Sequence, residues 1–182
     1  MHTPRRMSPP PRRMNAPQRG GMFPHTVTVY NVVVETDKDT FESEVVNHIT
    51  LLNGVFLEGS KAVNVRQSGL EGADAVSLYI PFGVEAVDAL TGRPKKYLPP
   101  VEFWRTEDKT DFWTLAITAK KTSKASLNGY TFFVKGTALP AEGIRPDQVV
   151  NYVEAAFDYV YSITKIDEKD FGGLRHWEVG GV

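Results

Sequence analysis

The stretch from Tyr159 to Val179 constrains the fold more than any other. Tyr159, Tyr161 and Ile163 fall on one face of an extended chain, and Val160, Ser162, Thr164 and Ile166 on the other. β-Branched and aromatic side chains dominate it, as they do in strands. Asp167 to Gly173 supplies the polar residues and the two glycines of a turn. Leu174, His176 and Glu178 then alternate with Arg175, Trp177 and Val179. This is a strand–turn–strand folding unit, and nothing in it is a catalytic signature.

The same period of two recurs upstream. From Phe23 to Val34, His25, Val27, Val29, Asn31 and Val33 alternate with Thr26, Thr28, Tyr30, Val32 and Val34, and Pro24 suits a strand start. Val45 to Leu57 is a longer run broken at Asn53-Gly54. It is either a hairpin of Val45–Leu52 against Val55–Leu57, or one bent strand with a bulge at Gly54. Lys61 to Gln67 alternates weakly, and Ala75 to Ile80 is a strand ended by Pro81. Phe112 to Ala119 and Tyr130 to Lys135 complete the set.

Between the strands lie loops. Glu35–Ser43, Ser68–Asp74, Arg105–Asp111 and Lys120–Asn128 are polar or glycine-containing. Phe82 to Trp104 is irregular, with a turn at Thr91-Gly92-Arg93-Pro94 and extended backbone at Pro99-Pro100. Its Tyr97, Leu98, Phe103 and Trp104, with Val101, are too apolar for free solvent. They are expected to cross a barrel mouth or to form a subunit interface. Arg145-Pro146-Asp147 opens the one convincing helix, whose Val149, Val153, Ala156, Phe157 and Val160 recur at three- and four-residue spacing. The helix is expected to end near Asp158 and to pack on the sheet. The expected fold is therefore mainly β: a small antiparallel β-barrel or sandwich with long loops and one short C-terminal helix before a closing hairpin.

Residues 1–21 are a different polymer. They hold five prolines, the five arginines Arg5, Arg6, Arg12, Arg13 and Arg19, no acid, and no strand or helix period. With almost nothing to bury, this arm is expected to be disordered, and residues 22–182 to form one β-rich domain. The 21 basic groups of the whole chain less these five leave 16 against 22 acidic, a net of −6 for the domain. The domain itself is then a poor sequence reader of nucleic acid. Two readings of the arm stand open: an electrostatic contact to DNA phosphates or to an acidic partner, or an extension without a role. The loop lysines Lys120, Lys121 and Lys124 are the other candidate DNA or partner contacts.

The sequence is poor in chemistry. It has no cysteine, which excludes disulfides, thiolate metal sites and cysteine nucleophiles. No phosphate loop, dinucleotide-binding glycine pattern or serine-nucleophile motif occurs, and no apolar run approaches a membrane span. His176 and Glu178 share a strand face, but two ligands do not make a metal site. Glu107-Asp108 and Asp167-Glu168 read as solvated loop charges, and Trp104, Trp113 and Trp177 as packing residues before a sugar platform. No enzyme activity, cofactor, metal or membrane partner is expected.

Four groups of segments, taken in order, carry a resemblance. They are His25-Thr-Val-Thr-Val-Tyr-Asn31; Val76-Ser-Leu-Tyr-Ile-Pro81 followed by Tyr97-Leu-Pro-Pro100; Phe112-Trp-Thr-Leu115 with Tyr130-Thr-Phe-Phe-Val-Lys-Gly136; and Tyr161-Ser-Ile-Thr-Lys-Ile-Asp167 with Asp170-Phe-Gly-Gly173 and His176-Trp-Glu-Val-Gly-Gly181. Together they resemble the minor capsid or head–tail connector proteins of tailed phages and prophages of Gram-positive bacteria. The resemblance covers roughly residues 22–181. It implies a virion component assembled in the host cytoplasm, a head-closure or stopper-like protein with no catalytic residues. Such a protein forms a ring of six or twelve copies at the neck, between portal or adaptor and tail, in transient contact with packaged double-stranded DNA. The arm and the long Lys120–Asn128 connection depart from that pattern. The alternative is a tail-associated binding module for carbohydrate or a host-surface partner, using its aromatics.

Overall fold

The computed structural model describes residues 21–36, 39–60, 64–66, 69–71, 75–118 and 127–182. Eleven strands and two α-helices occur among them: β1 (His25–Thr36), β2 (Ser43–Ser60), β3 (Asn64–Arg66), β4 (Gly69–Glu71), β5 (Ala75–Pro81), β6 (Glu85–Asp88), β7 (Lys96–Tyr97), α1 (Pro100–Arg105), β8 (Phe112–Trp113), β9 (Thr131–Lys135), α2 (Val149–Ala156), β10 (Val160–Lys169) and β11 (His176–Gly181). The main sheet runs β1-β9-β10-β11-β5-β2, and β2 pairs back onto β1, so six antiparallel strands close a barrel. Closure leaves these strands without free edges, the arrangement that most thoroughly suppresses edge-to-edge pairing. β6 adds a seventh strand on β2, and β3 pairs with β4 alone.

Asn53-Gly54 does not turn a hairpin. β2 is one strand: Ser43 to Val55 pair with β1, and Phe56 to Ser60 pair with β5. Gly54, at φ 84°, is the extra residue where the register with β1 slips between His25 and Thr26. A left-handed glycine at a bulge bends the strand, which is how β2 leaves one neighbour for the next.

The alternation read from the sequence sorts the barrel into two hydrophobic layers. One cluster takes residues from all six barrel strands, among them Val27, Val29, Leu52, Val55, Leu78, Ile80, Phe133, Ile163, Trp177 and Val179, and so fills the interior. Gly181 belongs to that packing, because a Cβ there would lie 2.9 Å from Val76 Cγ1 and 3.0 Å from Phe133 Cζ. The second cluster lies outside the barrel. Tyr30, Val32, Ile49, Phe132 and Val134 meet Val149, Val150 and Val153 of α2. Tyr30 stacks on Phe132 at 4.7 Å, and its hydroxyl donates to Ala138 O at 2.7 Å. The expected helix is thus present, entered through a 3-10 turn at Pro146–Gln148 and ended at Phe157, but Val150 takes the buried place expected of the exposed Ala156. Each buried valine contributes about 1.5–3 kcal/mol.

Two local expectations change. Pro99 is extended (φ −54°, ψ 147°), but Pro100 starts helix α1, which the proline pair had masked. Among the described residues of the expected strand Phe112–Ala119, only Phe112 and Trp113 enter a ladder, parallel to β7. Thr114 to Ala116 are buried, and the Thr114 backbone is held by the Asn31 side chain instead. The expected disorder of residues 1–21 falls, but for Gly21, outside the described residues.

Candidate functional site

The irregular chain from Lys95 to Thr118 caps one end of the barrel interior, and its anchoring is polar as well as apolar. Asn31, on the inner face of β1, donates through Nδ2 to Thr114 O (3.0 Å) and Thr131 Oγ1 (3.2 Å) and accepts from Thr114 N (3.2 Å). One side-chain amide thus does for Thr114 what a neighbouring strand would do. Thr114 Oγ1 donates to Leu98 O (2.7 Å), and Leu98 N to Trp113 O (3.0 Å), so β7 and β8 lock together. Tyr97 packs between Trp113 (5.1 Å) and Trp177 (4.4 Å), with Phe82 on the far side of Trp177 at 4.3 Å. Burial pushes the Tyr97 hydroxyl pKa up, with Glu168 adding to it.

Charges are built into this cap. Lys95, with only 1% of its side chain exposed, meets Asp88 Oδ2 at 3.0 Å. Burial lowers the Lys95 pKa against the pull of Asp88, and loop hydrogen bonds from Thr91 help hold Asp88 ionised against its own desolvation. His48 sits edge-on to Phe103 at 6.2 Å. Its pKa is lowered to about 4, first by burial and then by Lys95 and Lys109.

Tyr97, Leu98, Phe103 and Trp104 are the residues expected to cross a barrel mouth or to form a subunit interface. Phe103 is 0% exposed. Tyr97 and Leu98 are half-buried in the cap. Trp104 lies edge-on to Phe103 at 4.8 Å and lines an open groove with Val34, Glu107 and Asn128. Arg5, Arg6, Arg12, Arg13, Arg19, Lys120, Lys121 and Lys124 lie outside the described residues. His176 and Glu178 do share the outer face of β11, but their partners are ordinary. The His176 ring nitrogen Nδ1 is 2.9 Å from Leu174 O, and Glu178 faces Lys165 at 3.8 Å. No group of three metal-binding side chains occurs among the described residues. No helix among them is long and apolar enough to cross a membrane.

Two surface features escaped the sequence reading. Phe41, between β1 and β2, is 82% exposed and has φ 57°. An aromatic in the left-handed region is strained, and such strain persists only where the surroundings impose it. The second feature is a row of rings across the outside of β2, β5 and β11: Phe56 to Tyr79 at 5.9 Å and Tyr79 to His176 at 5.9 Å, with His25 5.6 Å from Phe56. Phe56, Tyr79 and His176 of this row, with Met22, Phe23, Glu58 and Leu174, line a mostly apolar groove of about 370 Å³. Period-two alternation marks Phe56 and Tyr79 as outward, but it does not say that separate strands would bring them side by side.

No curated protein and no solved structure matches the chain. Residues 22–182, the whole of the β-rich domain, match a family of unknown function, DUF6751, and the chain belongs to that family.

Proposed function

We propose that this protein is a structural subunit of a tailed-phage virion. It is a head-closure or stopper-like connector that assembles with copies of itself into a ring between portal or adaptor and tail. The observation that carries this reading is the set of large apolar side chains presented to solvent by the connections. Phe41 is 82% exposed, Leu90 69%, Val101 60%, Ile117 59% and Phe171 74%. They sit on five separate turns and segments around a barrel whose interior is filled by its own side chains. Apolar groups gathered on loops are what a ring subunit buries against its neighbours. The ordered resemblance of the strand segments to connector proteins points the same way. Barrel closure removes the edges of the six barrel strands as a means of joining copies, which leaves the loops and the short strands outside the barrel to make the contacts.

Negative-stain imaging and mass photometry of the purified protein test this, together with a search for the protein in virions. Rings of fixed stoichiometry are expected, and Phe41→Ser, which relieves an exposed aromatic and leaves the core untouched, should shift the population to monomers. A protein that stays monomeric at high concentration and is absent from virions would overturn the reading.

A further inference from the structure

The aromatic row on the outer face of β2, β5 and β11 has a rim of carboxylates. Glu178 stands opposite Tyr79 across β11 and β5, and Glu58 lies two residues beyond Phe56 on the same face of β2. Among the described residues no helix covers this face, whereas the opposite wall of the barrel is covered by α2. The chain enters the groove at Met22 and Phe23, which already line it. The preceding residues hold Pro9-Pro10-Pro11 and five arginines with no acid.

We infer that the groove is a docking site for this chain's own N-terminal arm, with the proline run over the rings and the arginines on the carboxylate rim. Proline-rich segments bind aromatic-lined grooves because their polyproline conformation is set in advance and little ordering entropy is lost. The dimensions agree. The row crosses two strand spacings of about 4.8 Å, roughly 10 Å, which about three residues of polyproline cover at about 3.1 Å each. Nine residues lie between Pro11 and Gly21, and that stretch reaches up to about 35 Å when extended, so the run can return over any part of the row. Arginine adds planar stacking on Tyr79 or Phe56 and charge-assisted contact to Glu58 and Glu178, which lysine would not reproduce. The inference goes beyond the proposed ring and does not depend on it.

The barrel, its core and α2 all close within residues 22–182, so a chain lacking residues 1–21 is a fair comparison. Amide and side-chain NMR signals of Phe56, Tyr79 and His176 should differ between the full chain and the shortened one. A synthetic peptide of residues 1–21 added to the shortened chain should restore the full-chain positions. Its binding should weaken several-fold in Glu58→Gln/Glu178→Gln, and again when its arginines are replaced by lysine. In the full chain the signals should not change with protein concentration. Identical spectra with and without the arm, or a peptide that shifts nothing in the groove, would overturn the inference. Concentration-dependent shifts would also overturn it, in favour of a second copy as the occupant.

Discussion

Replacing Asn31 by leucine nearly preserves volume but removes a clamp between barrel and cap. The amide holds the N–H and C=O of Thr114 at 3.2 and 3.0 Å, and Asn31, Thr114 and Thr131 are all 0% exposed. In Asn31→Leu both Thr114 groups lose those bonds in a dry site, while the Thr131 hydroxyl keeps a long 3.5 Å bond to Gly129 O. Each stranded group costs about 1–3 kcal/mol, so the pair costs about 2–6 kcal/mol. The leucine's own burial returns about 1–2 kcal/mol. A net loss of about 1–4 kcal/mol is large beside the ~5–15 kcal/mol stability of a typical domain. Urea unfolding followed by tryptophan fluorescence should show a midpoint lower by about 1 M with an unchanged slope. Hydrogen exchange adds the local readout: the Thr114 amide should exchange at least tenfold faster than the change in global stability accounts for. A loss under about 0.5 kcal/mol with Thr114 still protected would refute the reasoning, since some other contact would then be holding the cap.

Gly181→Ala drives a methyl to within 3.0 Å of two buried side chains and should destabilise by about 1–3 kcal/mol. Gly173→Ala, where nothing lies within 4 Å, should be close to neutral in the same urea titration. Acid should weaken the fold through His48. Its pKa is about 4 in the folded chain, against about 6.5 unfolded, so the unfolded chain binds more protons between those values. Stability is therefore lost as pH falls from about 6.5 to 4, by on the order of 2–3 kcal/mol. His48→Gln should flatten that part of the profile, and an unchanged slope would remove His48 from the account.

Strand faces were legible because alternation is a local property. Trp177 and Val179 read as one face of the last strand and are inside the barrel; His176 and Glu178 read as the other and are outside. The helix was legible through proline at its entry and valines at helical spacing. Asn53-Gly54 was ambiguous for a physical reason. A hairpin turn and a bulge both ask for a left-handed glycine, and which one forms depends on whether the flanking residues pair with each other or with distant strands. The chain after Trp113 was misread as a strand for a related reason. Thr114 looks like a strand residue, but its partner is a side chain 83 residues away in sequence. Tyr97 and Phe103 read as too apolar for solvent, at a barrel mouth or a subunit interface, but which groups cover them was not legible, because Trp113, Trp177 and His48 come from other parts of the chain.

The sequence by itself determined that this chain is mainly β, which face of each strand is apolar, where the C-terminal helix starts, and that an arginine- and proline-rich arm precedes an acidic domain. These follow from periodicity, propensity and charge, which act over a few residues. Only the tertiary structure decided that β2 closes the sheet into a barrel, that Asn31 pins a cap over one end, and that rings from three strands align beside an acidic rim. Those depend on contacts between residues far apart in the chain, and local pattern carries no record of which strand will become whose neighbour.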